Sequence, residues 1–213
     1  MIEGEESMNL SQYQDQIVRI RDRWNHAFMG VADCFPAEYG MHEYGREEEA
    51  IRIGDYMIFD GDIETVEACP DLAIIRATET WQQAGAYYVR IQAMAKKHHI
   101  TLRAEFDEHD RPDTKYIVIT DQDFPIATAR MYPLDRTGMM IGRVVVLPEY
   151  RHQGFGSMVV TECERWAEEM GYGETVLESR DNKIGFYQRL GYEIDGEPVD
   201  GETFRCIRMK KEF

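Results

Sequence analysis

Val144-Val145-Val146-Leu147-Pro148-Glu149-Tyr150-Arg151-His152-Gln153-Gly154-Phe155-Gly156-Ser157 is the stretch on which the reading of this chain turns. Ile141 to Leu147 reads as a strand, and its unbroken apolar run Val144-Val145-Val146 suits a strand covered on both faces. A helix is expected from about Gly154 to Met170, with Val159, Cys163, Trp166 and Met170 on one stripe and Gly171 at its C-terminal cap. A glycine-bearing turn therefore joins a buried strand directly to a helix N-terminus. The first amides of a helix have no internal partners, and the macrodipole makes that end partly positive. An anionic pyrophosphate can sit there on backbone N–H groups. Gly154 and Gly156 lack a Cβ, so a phosphate can approach the main chain, and Arg151 adds a fixed positive charge.

Other readings of this turn stay open at this level. A dinucleotide fingerprint needs a small third residue where this chain has Val159, and the Walker pattern G-x-x-x-x-G-K-[ST] does not occur. A lone Gly-x-Gly is most often a turn without a ligand.

Working outward, Tyr116–Thr120 and Ile126–Tyr132 read as strands joined by Asp121-Gln122-Asp123. Leu72–Arg76 is a short strand before a helix running from Thr80 to about Lys97. Thr80 and Gln83 give that helix a capping-box signal, and Ala84, Tyr87, Ile91 and Met94 are its expected buried face. His98-His99 at its end have no spacing for joint metal ligation. Beyond Gly171 the chain reads as strand (Thr175–Glu178), short helix (Asn182–Leu190) and strands Tyr192–Ile194 and Phe204–Lys210. This order predicts a mixed α+β sheet with helices on both faces. Upstream, Tyr13, Ile17, Ile20, Trp24 and Phe28 recur at three- and four-residue steps, which predicts a helix from about Ser11 to Phe28. Met57–Phe59 and Ile63–Val66 flank Asp60-Gly61 as a possible hairpin.

The composition narrows the partners. The 213 residues carry 24 Lys and Arg against 40 Asp and Glu, a net charge of −16. Such a surface repels phosphate backbones and anionic lipid, so neither nucleic-acid nor membrane-surface binding is expected, and a cationic partner is favoured. The bland reading is that the acidity serves solubility. Cys34, Cys69, Cys163 and Cys206 form no C-x-x-C pair, which reads as reduced thiols in a cytoplasmic protein without a metal site. Met1 to Ser7 is acidic and lacks the apolar core of a signal peptide.

Two motifs in order carry a family likeness. Arg151-x-x-Gly154-x-Gly156 resembles the acyl-CoA signature [QR]-x-x-G-x-[GA] of the GNAT N-acetyltransferases, and Phe186-Tyr187-Gln188-Arg189-Leu190-Gly191-Tyr192 resembles that family's F-Y-x-x-L-G-[FY]. The likeness runs from about Leu72 to Lys210 and is strongest to the ElaA-like branch, through Glu105-Phe106-Asp107-Glu108-His109-Asp110 and Ile141-Gly142-Arg143-Val144.

The resemblance implies an α+β GNAT fold over 71–213, with a mixed, mostly antiparallel sheet flanked by helices. Residues 1–70 would then be an N-terminal extension of helix plus irregular or hairpin segment, packed and ordered. It implies transfer of an acetyl group from acetyl-CoA to a primary amine of a small molecule or peptide; the alternative is a non-catalytic acyl-CoA-binding module. Val144, Val145 and Val146 would contact pantetheine between two splayed strands, with the Val146 amide polarising the thioester carbonyl. The amides of Arg151, His152, Gln153, Gly154, Phe155 and Gly156, with Ser157, would hold the pyrophosphate. Asn182 would be a further cofactor contact, and Tyr187 falls where the family commonly keeps a tyrosine facing the sulfur, placed to protonate the departing thiolate. Glu105, Asp107 and Glu178 are candidates for the base, and a homodimer is possible. Where ElaA-like chains tend to have a His three residues before a Met, this chain has Cys206 before Met209.

Overall fold

A computed structural model describes residues 8–200 and 205–213, so the readings made on Met1 to Ser7 and on Phe204 lie outside the described residues. The chain divides into two compact units, Met1–Ala73 and Ile74–Phe213.

The first unit holds β1 (Ile17–Asp22), β2 (Ala27–Val31), β3 (Asp33–Phe35), α1 (Ala37–Tyr44), β4 (Ala50–Ile53), β5 (Tyr56–Phe59) and β6 (Ile63–Ala68). Two three-stranded antiparallel sheets form, ordered β2-β1-β6 and β3-β4-β5. Leu10, Val18, Ile20, Ala32, Ile51, Ile53, Ile58 and Ile63 make one buried cluster between them.

The helix expected over Ser11–Phe28 does not form. Leu10–Tyr13 is a single 3-10 turn, and β1 and β2 make a hairpin instead. Ile17-Val18-Arg19-Ile20-Arg21 also alternates with period two and is rich in β-branched residues, and this pattern wins. Asp22 decides the contest. Its carboxylate accepts from the amides of Trp24 at 3.0 Å and His26 at 2.7 Å, closing a turn with Asn25 at φ 68°. Trp24 sits in that turn, 64% exposed, and not on a buried stripe. Nor do the strands around Asp60-Gly61 pair with each other, since β5 pairs with β4 and β6 with β1. A 3-10 turn at Asp60–Asp62 passes the chain from one sheet to the other.

The second unit contains β7 (Leu72–Arg76), α2 (Thr80–Arg90), α3 (Leu102–Glu105), β8 (Lys115–Asp121), β9 (Phe124–Pro133), β10 (Gly138–Val146), α4 (Phe155–Glu169), β11 (Glu174–Arg180), α5 (Ile184–Gln188), β12 (Glu193–Ile194), β13 (Val199–Asp200) and β14 (Arg205–Glu212). They build an eight-stranded sheet ordered β12-β14-β11-β10-β9-β8-β7, with β13 on β14. The β10–β11 pair is parallel, and β8–β9, β9–β10, β11–β14, β12–β14 and β13–β14 are antiparallel. The mixed, mostly antiparallel sheet expected from the sequence is present. The apolar stripe of α4 buries Val159, Val160, Cys163 and Ala167.

Helix α2 differs from its reading in two ways. Its capping box is formed by Glu79 and Gln82, one residue earlier than Thr80 and Gln83. Tyr87, Ile91 and Met94 are half-buried as expected, Tyr87 and Met94 packing against the core, but Ala84 is exposed, and the fully buried positions are Ala86, Val89 and Arg90, continued by Ala93 and Ala95 in a π-helical stretch at Ile91–Lys96. Small residues let the helix approach the sheet closely, and Arg90 is buried because carboxylates meet it there.

Candidate functional site

The sheet opens between its two parallel strands. β10 and β11 are paired only over Gly138–Ile141 and Glu174–Leu177, although β10 runs on to Val146 and β11 to Arg180. A bulge in β10 marks the parting. Its register with β9 shifts between Gly142 and Val145, and Arg143 adopts φ 51°. Bulges bend a strand and raise its twist, and here the bend takes Val144, Val145 and Val146 off the line of β11. Both strands keep their outer partners, since Val145 and Val146 stay paired with β9 and Ser179 and Arg180 with β14. Backbone edges without a strand between them are left facing the gap. Such edges match an extended ligand carrying amides.

The phosphate-type turn lies at the end of the same strand. His152 (φ 62°) and Gly154 (φ 93°) are both left-handed, which folds residues 151–154 into a tight loop ahead of α4. Gly154 caps the helix without any side-chain bond, and the Met158 amide is the donor that closes the first turn, onto the Gly154 carbonyl at 3.1 Å. The amides before it are the orphan donors of a fifteen-residue helix. Arg151 folds back, its Nε donating to the Val146 carbonyl at 3.1 Å, so it ties turn to strand as well as carrying charge. His152 and Gln153 are exposed, Phe155 is buried, and Gly156 and Ser157 are half-buried. A Cβ on Gly156 would stand 3.4 Å from the Phe186 ring. The two sequence motifs, thirty residues apart, therefore meet at the mouth of the gap. The donor set and the open strand edges fit an extended ligand with a pyrophosphate.

Tyr187 stands on α5, half-buried, with its ring 4.9 Å from that of Phe186 and 5.9 Å from that of Tyr192. Burial pushes its phenol up to about 12, with the Arg180 charge pulling partly the other way. Arg180, the last residue of β11, is registered opposite Cys206. Asn182 lies in an exposed 3-10 turn before α5.

The acidic segment Glu105 to Asp110 is an ion-pair lattice. Arg90 is fully buried; it donates from Nε to Glu105 Oε1 at 2.8 Å and from Nη1 and Nη2 to the Asp110 carboxylate at 2.5 and 3.1 Å. Arg130 reaches Asp107 at 2.6 Å and Asp110 at 2.8 Å, and Arg143 reaches Asp107 at 2.8 Å. Tyr116 donates to Asp110 at 2.6 Å. Three guanidinium groups face three carboxylates, so the buried charge is balanced. Burial alone would raise the Asp107 and Asp110 carboxyls, but hydrogen bonds from Arg130 and from Arg90 and Tyr116 outweigh it, holding both below the usual range. Glu105 and Asp107 are thus tied to arginines. Glu178 is exposed on the parted end of β11 and takes part in none of these pairs.

Sequence reasoning missed Arg90, Arg130 and Arg143 as the partners of this segment, and also the His109–Tyr132 stack at 4.1 Å beside it. Among the described residues there is no group of three or more His, Cys, Asp or Glu able to hold a metal, and no helix is long and apolar enough to cross a membrane.

Comparison with known proteins places this architecture. A structure from Lactobacillus plantarum, of a protein classed as an N-acetyltransferase, superposes with a TM-score of 0.64 at 29% identity, covering 66% of this chain and 97% of that one. Escherichia coli ElaA superposes at 0.56 with 19% identity over 66% and 98%. A GNAT acetyltransferase from Elizabethkingia anophelis with acetyl-CoA bound does so at 0.52 with 18% identity over 67% and 99%. The fold is the GNAT fold. A Bacillus subtilis protein classed as an acetyltransferase is 31% identical over 129 residues, 60% of this chain and 87% of its own. The model of the Acetyltransferase (GNAT) family matches residues 75–192, more than half of the chain, and the chain belongs to that family.

Proposed function

We propose that the protein transfers an acetyl group from acetyl-CoA to a primary amine of a small molecule or peptide in the cytoplasm. The observation that carries this reading is the parting of β10 from β11 beside the N-terminus of α4, with Tyr187 on the helix that follows β11. Acetyl-CoA, when bound, supplies an acetyl group activated as a thioester. The edges of Val144, Val145 and Val146 would hold its pantetheine arm. The amides of Arg151 through Gly156, with Ser157, would hold its pyrophosphate, and Asn182 would touch it from α5's side.

Tyr187 is suited to general acid work. A phenol pushed up to about 12 stays protonated at neutral pH, and it would give its proton to the departing sulfur. Of the three carboxylates singled out in the sequence, Glu178 is the one free of the arginine lattice, and it would take the proton released by the attacking amine. A net charge of −16 draws cationic acceptors toward such a groove and disfavours nucleic acid and anionic membranes as partners.

The second reading, a non-catalytic acyl-CoA-binding module, has one observation in its favour. Cys206, registered opposite Arg180, stands where ElaA-like relatives tend to carry histidine. Release of free thiol from acetyl-CoA, measured across polyamines, amino acids, aminoglycosides and peptide N-termini, tests the proposal. Amine-dependent thiol release supports it, and binding without release under every amine would leave the module reading in its place.

A further inference from the structure

Along α2, from Trp81 to Tyr88, lies a cavity of about 190 Å³ that the proposed reaction does not use. Trp81 and Tyr88 of α2, Val118 and Thr120 of β8, and Asp123 and Pro125 at the β8–β9 turn are among its lining residues. Two features mark it. A register shift between Ile119 and Thr120 offsets the strand at this position. Large aromatic rings collect at the cavity while remaining in solvent. Trp81 is 54% exposed and Tyr88 37%, and Phe124, 52% exposed, packs edge-on against Tyr88 at 5.2 Å.

The chemistry of the lining selects the ligand. None of the lining residues is basic, and the one charged group is the exposed carboxylate of Asp123. The Trp81 ring is fixed from outside, its Nε1 donating to Glu79 at 2.6 Å, which leaves its faces for contact. Aromatic faces attract cations, and a carboxylate attracts a positive charge. The volume lies below the about 300–1,000 Å³ of drug-sized sites, which restricts the occupant to a small molecule.

We propose that this cavity binds a small organic cation, a primary ammonium on an apolar body, with the ammonium toward Asp123 and the body against Trp81 and Tyr88. The site lies on α2 and β8, apart from the groove between β10 and β11, and does not depend on the acetyl-transfer reading.

Calorimetric titration of the full chain with benzylammonium, and separately with benzyl alcohol of similar size, tests it. Saturable binding of benzylammonium is expected, at least tenfold tighter than that of the alcohol. Asp123→Asn and Trp81→Ala, both at exposed positions that leave the core intact, should weaken it at least tenfold, and Glu178→Gln should leave it unchanged. Thr120→Val should raise the melting temperature, because it removes an unpaired buried hydroxyl, and leave the affinity unchanged. The proposal is overturned by an absence of saturable binding, by equal binding of the alcohol, or by a loss in Glu178→Gln without one in Asp123→Asn.

Discussion

Arg143, at φ 51° in the bulge of β10, holds the carboxylate of Asp107 at 2.8 Å. This pair joins the strand that opens the sheet to the acidic segment beside it. The bulge, the parting of the strands and the Glu105–Asp110 lattice are therefore one construction. Arg143 also donates to the Glu105 carbonyl at 3.3 Å, so the loop is tied by backbone as well as by charge.

Breaking the lattice at its buried centre should cost heavily. Arg90→Met leaves Glu105 and Asp110 without their fully buried partner, and removing one member of a buried pair typically costs about 3–5 kcal/mol. Urea unfolding at neutral pH is expected to show a loss in that range. A change below about 1 kcal/mol, the scale of exposed pairs, would mean the lattice is solvated.

The same lattice sets an acid limit. Asp107 and Asp110 have depressed carboxyls in the folded state, so their contribution is fully present above the unfolded value of about 3.9 and is lost as pH falls through the lower folded values. Stability should fall steeply below about pH 4, and Asp110→Asn, having already lost its share, should fall less. Parallel acid profiles for the two proteins would contradict this.

The first unit offers a test that separates strand from helix. Ile20 is fully buried in β1, so Ile20→Ala should cost about 2–5 kcal/mol. Trp24, exposed in the turn, should tolerate alanine within about 0.5 kcal/mol. Thermal unfolding of both variants decides it, and a large loss at Trp24 would restore the helical stripe.

How much of this was legible depended on the range of the interactions involved. The strand–turn–helix at Val144 to Ser157 and the Phe186 to Tyr192 motif could be read because their local pattern and their structure coincide. Ser11–Phe28 could not, since Ile20 belongs both to the helical stripe with Ile17 and to the alternating strand face with Val18, and the choice falls to Asp22 and its bonds to Trp24 and His26. Arg90 was missed on the buried face of α2 because it looks like a surface residue until Glu105 and Asp110, 15 and 20 residues away, are brought to it. Glu105 and Asp107 passed as candidate bases for the same reason. The parting of β10 from β11 was expected only through the family likeness, since nothing local to Ile141 or Leu177 announces that their pairing stops there.

Tyr187→Phe should lower turnover about 10²- to 10⁴-fold, the usual share of general acid catalysis, while barely changing the affinity for acetyl-CoA, because the ring packing against Phe186 and Tyr192 is kept. Steady-state rates with any accepted amine, beside calorimetric affinities, check it. Wild-type turnover in the variant would make Tyr187 a packing residue.

The central claim is that the gap between β10 and β11, with the turn at Arg151 to Ser157, receives acetyl-CoA. Thermal unfolding of the full chain with acetyl-CoA, and with NAD as control, tests it most directly. At about a hundred times its dissociation constant a ligand adds about 2.7 kcal/mol, so the account expects a clear rise in melting temperature with acetyl-CoA and none comparable with NAD. A melting temperature unmoved by saturating acetyl-CoA, or raised equally by NAD, would contradict it.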